Sequence, residues 1–279
     1  MNDGPRARQM YLDLLKNCLT RYNIGETYGE VRRPVTDRRK RWAVLAMAQR
    51  WLATHNLAIV RQVPFDPDMR VEGLDWPAQA ETMIGLKRLQ NLEDCVTDIL
   101  VNGVPGDLIE TGAWRGGACI LMRALLKVYG DTTRKVWVAD SFEGLPKPDG
   151  RYPQDAGDRL WKNNAILGVS LEQVKANFTR YGLLDSQVEF LKGWFKDTLP
   201  VAPIQRLAIL RLDGDMYAST ADALNSLYAK LSPGGYVIID DYGVMSTCKQ
   251  AVDDFRVKHG VTEEMRWIDR SGVFWRRHV

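Results

Sequence analysis

Histidine is scarce in this 279-residue chain, which has only His55, His259 and His278. None stands in the strand-end segments described below, so histidine acid–base or nucleophilic chemistry is disfavoured and carboxylates become the candidate bases. Cysteine is nearly as rare. Cys18, Cys95, Cys119 and Cys248 are widely scattered with neither zinc nor redox spacing, and three fall on helical patterns. Reduced, packed thiols in a cytoplasmic protein are expected. No apolar run approaches the roughly 20 residues that span a bilayer. The opening Met1-Asn2-Asp3-Gly4-Pro5-Arg6 does not read as a signal peptide, so no membrane partner is expected. A charge excess is missing too. The 38 basic and 35 acidic residues leave +3, too balanced to imply nucleic acid from composition. Internal repeats and low-complexity tracts are absent.

The 45% hydrophobic content suffices for one large α/β domain, or one domain with an appendage. Residues 11–22 carry Leu12, Leu15 and Leu19 at helical spacing, and residues 42–52 suit a second helix. Between them lie a polar stretch with Gly25 and Gly29, then Arg32, Arg33 and the run Arg38-Arg39-Lys40-Arg41. Pro64, Pro67, Gly73 and Pro77 make residues 64–77 an expected loop, and a helix over 78–101 should stop at Gly103-Val104-Pro105-Gly106. From 107 onward strands and helices alternate. Strands fit 108–111, 135–139, 188–191, 207–212 and 236–239; helices fit 118–128, 171–181, 219–231 and 248–259. Two last strands, 265–268 and 273–276, are joined by a turn short enough for a hairpin. The expected fold is a doubly wound, mostly parallel, seven-stranded Rossmann-like α/β sheet with one antiparallel strand. A helical N-terminal region, residues 1–85, precedes the main domain, 86–279.

Two acidic clusters directly follow two of the strands: Asp213-Gly214-Asp215 after 207–212, and Asp240-Asp241 after 236–239. In a doubly wound sheet both emerge at the carboxyl edge, where such folds bind ligands. Carboxylates crowded there repel each other unless a cation or proton joins them. Asp213, Asp240 and Asp241 are therefore the candidate ligands of a divalent metal, and hard oxygen donors suit Mg²⁺. Asp213 is also the candidate general base. For Asp215, capping the following helix is as good a role as chemistry.

A second cluster, Glu110-Thr111-Gly112-Ala113-Trp114-Arg115-Gly116-Gly117, joins the first strand to its helix. Glycines such as Gly112 and Gly116 allow close backbone approach to a ligand, and a helix N-terminus offers free N–H groups. The spacing is not the dinucleotide fingerprint. Asp140, ending the second strand, is placed to accept from the ribose hydroxyls of an adenosine ligand. NAD and S-adenosylmethionine both fit that far. Glu110 would repel a pyrophosphate and favour a sulfonium with an amino-acid tail, so adenosylmethionine is preferred. A metal beside it would acidify an alcohol acceptor, best a vicinal diol, for methyl transfer.

Several strings together resemble the macrocin O-methyltransferase family. They are 106–117, Val138-Ala139-Asp140-Ser141-Phe142-Glu143-Gly144-Leu145-Pro146, Gly193-Trp194-Phe195, Leu212-Asp213-Gly214-Asp215-Met216-Tyr217 and Ile239-Asp240-Asp241-Tyr242. Leu74-Asp75-Trp76-Pro77 with Thr82, Met83 and Gly85 resembles that family's N-terminal signature, so the likeness runs from about residue 74 onward. The resemblance implies Mg²⁺- and S-adenosylmethionine-dependent methylation of a sugar hydroxyl on an antibiotic or related glycosylated natural product. It implies that Asp213, Asp240 and Asp241 hold the metal, with Asp213 as base. It also implies that Thr111, Gly112, Asp140, Ser141, Gly193 and Trp194 hold the cofactor, and that the N-terminal region covers the site and forms a homodimer or higher oligomer. Alternatives are a nucleotide sugar or another small diol or catechol as acceptor. A nucleic-acid methyltransferase using the arginine run is the weaker rival, since stacking aromatics are not interleaved with that run.

Overall fold

The computed structural model describes residues 4–31 and 41–278. The basic positions 32–40, on which the nucleic-acid alternative rested, lie outside the described residues. The N-terminal part holds α1 (Gly4–Leu19), β1 (Glu26–Glu30), α2 (Arg41–Ala53), β2 (Val60–Pro64) and α3 (Pro67–Glu72). Then come α4 (Leu86–Val101), β3 (Asp107–Thr111), α5 (Gly117–Val128), β4 (Val136–Asp140), α6 (Asn164–Leu167), α7 (Leu171–Arg180) and β5 (Val188–Lys192). The chain continues through α8 (Phe195–Thr198), β6 (Leu207–Leu212), α9 (Tyr217–Leu227), β7 (Leu231–Ile239), α10 (Ser246–His259), β8 (Arg266–Trp267) and β9 (Val273–Arg276).

The main sheet has the order β5-β4-β3-β6-β7-β9-β8. Its first five strands run parallel, and β9 pairs antiparallel with both β7 and β8. The expected seven-stranded, mostly parallel sheet with one antiparallel strand is present. Alternation along each strand sends side chains to two cores. Leu108, Val136, Val138 and Ile238 meet α4, α5 and α7, together with Leu12, Leu15 and Leu19 of α1. Ile109, Trp137, Leu210, Leu212 and Ile239 meet Leu224 and Leu227 of α9 and Val252 and Phe255 of α10. Winding reverses between β3 and β6, which places the switch point of the sheet at the carboxyl ends of those two strands.

The N-terminal part differs from the sequence expectation in three places. β1 and β2 form a two-stranded antiparallel sheet, pairing Tyr28 with Gln62 across a long sequence gap. The expected loop 64–77 contains α3, opened by Asp66, whose carboxylate accepts from the Asp68 and Met69 amides. The helix expected over 78–101 begins only at Leu86. Residues 78–81 are occupied otherwise: the Ala78 and Ala80 carbonyls accept from Arg115, and the Glu81 carbonyl accepts from the Gly117 amide at 3.0 Å. Those carbonyls find their partners in the glycine loop and the start of α5, outside any helix ladder.

Between β4 and α7 a Pro- and Gly-containing loop crosses to the far side of the site. Buried Asp155 reaches from it to the start of α9 and accepts from Tyr217 N and Ala218 N, both at 2.9 Å. The helix N-terminus is thus capped by a distant carboxylate, and Asp215 does not cap it. Arg151 from the same loop holds Asp222 of α9 with two hydrogen bonds of 3.0 and 2.9 Å. Replacing the cap, Asp155→Ala, is expected to lower stability by about 1–2 kcal/mol. The shift in urea midpoint against the parent protein measures it.

Candidate active site

β6 is apolar throughout except for Arg211, which is 1% exposed. Alternation turns Arg211 and Glu110 to the face where Leu108 and Ile238 lie. There the guanidinium ion-pairs with Glu110 on β3, with Asp213 past β6 (3.1 Å) and with Asp240 past β7. Burial disfavours the charge on Arg211, but Asp240, Glu110 and Asp213 outweigh it and raise its pKa. Arg88, in the first turn of α4, pairs with the other oxygen of Asp240 and, through Nε, with Asp269 at 3.0 Å.

Asp213, Asp240 and Asp241 come together, with one carboxylate oxygen from each lying within 4.8 Å of the others. Asp240 and Asp241 are buried, whereas Asp213 keeps 27% of its side chain exposed on the wall of a cavity. Burial, then the Asp240 charge, pushes the Asp213 carboxyl well above the usual carboxylate range. Burial, then Asp215, does the same to Asp241, and Asp215 itself is pushed up to about 6. The Asp215 amide donates to Asp241 at 3.2 Å, with Asp215 held at φ 57°. Three hard oxygen donors under mutual repulsion fit a divalent cation, which would relieve both the repulsion and the raised proton affinity.

The cavity, about 470 Å³, is the size of a small-molecule site. Of the residues expected at a cofactor, Gly112, Asp140, Ser141, Gly193 and Trp194 line it, next to Asp213. Gly112 has φ +90°, and a Cβ there would stand 1.7 Å from the Asp213 carbonyl oxygen. Only glycine lets the two strand ends approach so closely. Asp140 accepts from the Ala113, Trp114 and Phe142 amides at 2.8, 3.1 and 2.8 Å, so it ties the glycine loop to the end of β4. Burial raises its pKa against the pull of those amides.

Three expected residues stand elsewhere. Glu110 is buried off the cavity wall, with one oxygen on Arg211 and the other accepting from the Cys119 thiol at 2.8 Å. It serves as a counterion in the protein interior, where the sequence suggested a cofactor contact. Thr111 is buried behind Gly112 and its side chain does not reach the cavity wall. Gly116 faces α7, where a Cβ would crowd Val174 and Phe178 at 2.9 and 3.2 Å, so its role is packing.

Arg211 and Arg88 did not stand out in the sequence. A lone arginine inside an otherwise apolar strand was the available signal for Arg211. Met83, named in the sequence only as part of the signature string, lines the cavity from the segment ahead of α4. Above the glycine loop, Trp114 is held at φ 47° and donates its ring N–H to the Ile166 carbonyl at 3.0 Å. Arg115 stacks on that ring at 4.1 Å.

The family model described as macrocin-O-methyltransferase matches residues 8–277, so the likeness extends through the N-terminal region beyond the start near residue 74 seen in the sequence strings. A Streptomyces olivaceus protein named 8-demethyl-8-(2,3-dimethoxy-alpha-L-rhamnosyl)-tetracenomycin-C 4'-O-methyltransferase is 58% identical over 212 residues, 76% of this chain and 81% of that one. Demethyldecarbamoylnovobiocin O-methyltransferase of Streptomyces niveus is 55% identical over 219 residues, 78% and 83% of the two chains. Among solved structures, the O-methyltransferase NovP superposes with a TM-score of 0.83 at 45% identity, covering 98% of this chain and 100% of its own.

Gly112→Ala is expected to destabilise the fold by at least about 2 kcal/mol, because the methyl must displace the β6 end and φ is positive. Thermal denaturation measures it. A melting point equal to that of the parent would contradict the close approach of the two strand ends.

Proposed function

This chain belongs to the macrocin O-methyltransferase family and is an S-adenosylmethionine-dependent O-methyltransferase; from that premise we propose that its acceptor is a sugar hydroxyl on a glycosylated natural product, with Mg²⁺ at Asp213, Asp240 and Asp241. The supporting observation is the meeting of those three carboxylates beside a cavity walled by Gly112, Asp140, Ser141, Gly193 and Trp194. The rhamnosyl acceptor in the name of the S. olivaceus relative supports the sugar, and the named antibiotics of both relatives support the product class. Asp140 and Ser141 would take the ribose of the donor, and the open backbone at Gly112 its amino-acid tail. Trp194, following Gly193 at φ 140°, would flank the adenine.

An alkyl hydroxyl keeps its proton at neutral pH, and a bound Mg²⁺ would lower that affinity. Asp213 then receives the proton. Its Oδ2 is the oxygen on Arg211, which holds the carboxylate in place for that role. Arg211 keeps that carboxylate fixed while Asp241 and Asp240 hold the remaining sides of the site. The close approach of Gly112 to the Asp213 backbone supports a donor lying next to the acceptor.

The N-terminal region, residues 1–85, we assign to covering the site and to homodimer formation. On α2, Val44, Met47 and Trp51 share one helical face and are each 63% exposed, a stripe suited to a second copy. The four free cysteines suit a reducing cytoplasm, and among the described residues no helix is long and apolar enough to cross a membrane.

Asp213→Asn should abolish methyl transfer, a loss of at least about 10²-fold, while S-adenosylhomocysteine still binds in calorimetry. Full turnover in excess EDTA would discard the metal. A pH test follows from the raised carboxyls. Their folded-state pKa values exceed the unfolded ones, so their contribution to stability is fully present below the unfolded carboxyl range. That contribution is lost as pH rises through the folded values, near 6 for Asp215. Mg²⁺ should therefore raise the melting temperature more at pH 8 than at pH 5.5, and scanning fluorimetry reads the difference. Equal increments would contradict competition between proton and metal.

A further inference from the structure

Asp240 is gripped from two sides. Its Oδ1 meets Arg211 and its Oδ2 meets Arg88, so each oxygen already carries one guanidinium contact and its plane is fixed. Arg88 is in turn fixed by Asp269, whose side chain is fully buried. Asp269 Oδ1 accepts from the Ser271 and Gly272 amides at 2.8 and 2.7 Å, which shapes the turn between β8 and β9. The Ser271 hydroxyl then donates to the Asp240 carbonyl at 2.7 Å. Arg88, Asp269, Ser271 and Asp240 thus close a ring that joins α4, the β8–β9 turn and the end of β7. The turn packs on Arg88 as well, with Gly272 against its side-chain carbons.

From this ring we infer that Arg88 is a positioning residue for the metal site: it sets the orientation in which Asp240 presents its carboxylate. The inference rests on the metal reading above. Without Arg88, Asp240 would retain one guanidinium and turn away from the Asp213 charge, which crowds it on the open side. Electrostatics alone give the opposite sign. A cation next to a metal site repels the metal, so deleting Arg88 would tighten binding if charge were its only contribution. Orientation predicts weakening instead. Lysine cannot substitute, because Arg88 hydrogen-bonds Asp240 through Nη1 while Nε stands at ion-pair distance from Asp269, 3.0 Å, and a single ammonium does not reach both from two separate nitrogens. The cofactor wall is separate. None of Gly112, Asp140, Ser141, Gly193 or Trp194 takes part in the ring.

The test is Mn²⁺ binding to the full-length protein, followed by electron paramagnetic resonance, with Arg88→Gln and Arg88→Lys beside the parent. S-adenosylhomocysteine affinity is measured on the same samples. The expected result is Mn²⁺ affinity about tenfold weaker in both variants, as for outer partners of metal ligands. S-adenosylhomocysteine affinity should stay unchanged, and the KM for Mg²⁺ should rise more than kcat falls. Affinity equal to or tighter than the parent in Arg88→Gln would overturn the inference. If that variant fails to fold, parent-like affinity in Arg88→Lys overturns it equally. A parent protein that binds no Mn²⁺ sinks the metal reading itself, which separates the two failures.

Discussion

The rest of the site depends on one electrostatic problem: five carboxylates stand at the switch point of a mostly apolar sheet. Among the described residues, Glu110, Asp213, Asp215, Asp240 and Asp241 stand with two guanidiniums, Arg211 and Arg88, and Arg88 is shared with Asp269. Taking ions out of water is expensive, and a buried pair breaks even only with good geometry and satisfied hydrogen bonds. Arg211 meets that demand by bridging three strands at once, so β3, β6 and β7 are locked in register by charge as well as by their backbone ladders. Two cations cannot neutralise five anions. Burial first, and then this surplus of charge, raises the proton affinity of Asp213, Asp215 and Asp241. A divalent ion on Asp213, Asp240 and Asp241 would remove most of the remaining imbalance.

Much of this was legible in the sequence because it is local. Acidic residues directly after short apolar runs must emerge at the carboxyl edge if the runs are parallel strands, and that placed Asp213, Asp240 and Asp241 together without any knowledge of contacts. Strand and helix positions in the main domain followed from the same alternation. The parts that were not legible are long-range. Glu110 looked like a ligand group until its partner Arg211, 101 positions away, was found beside it. Arg88 is 152 positions from Asp240. Residues 78–85 carry a helical pattern, yet their carbonyls are taken by Arg115 and Gly117, and no local propensity records that competition. The β1–β2 pairing likewise joins two short polar segments across some thirty intervening positions.

The same division bears on acceptor choice. The cavity end beside Asp213 is built from strand termini and is fixed by backbone contacts, such as Gly112 against Asp213 and Asp140 against the glycine loop. Other lining residues come from segments outside the sheet: Met83 from the stretch before α4, Trp161 from the loop after β4 and Leu167 from α6. Segments of that kind tolerate change more easily than strand ends do. Relatives more than 50% identical to this chain carry the names of chemically different antibiotics. Under the proposed function, differences in acceptor should therefore sit in these outer segments while the carboxylates stay in place. The anchoring of the loop sharpens the point. Asp155 and Arg151 fasten the loop to α9, and Trp161 and Leu167 lie beyond both anchors, so these wall residues can vary without loosening the fastened stretch. Under the proposed function, variation there would let one chemistry serve different glycosides.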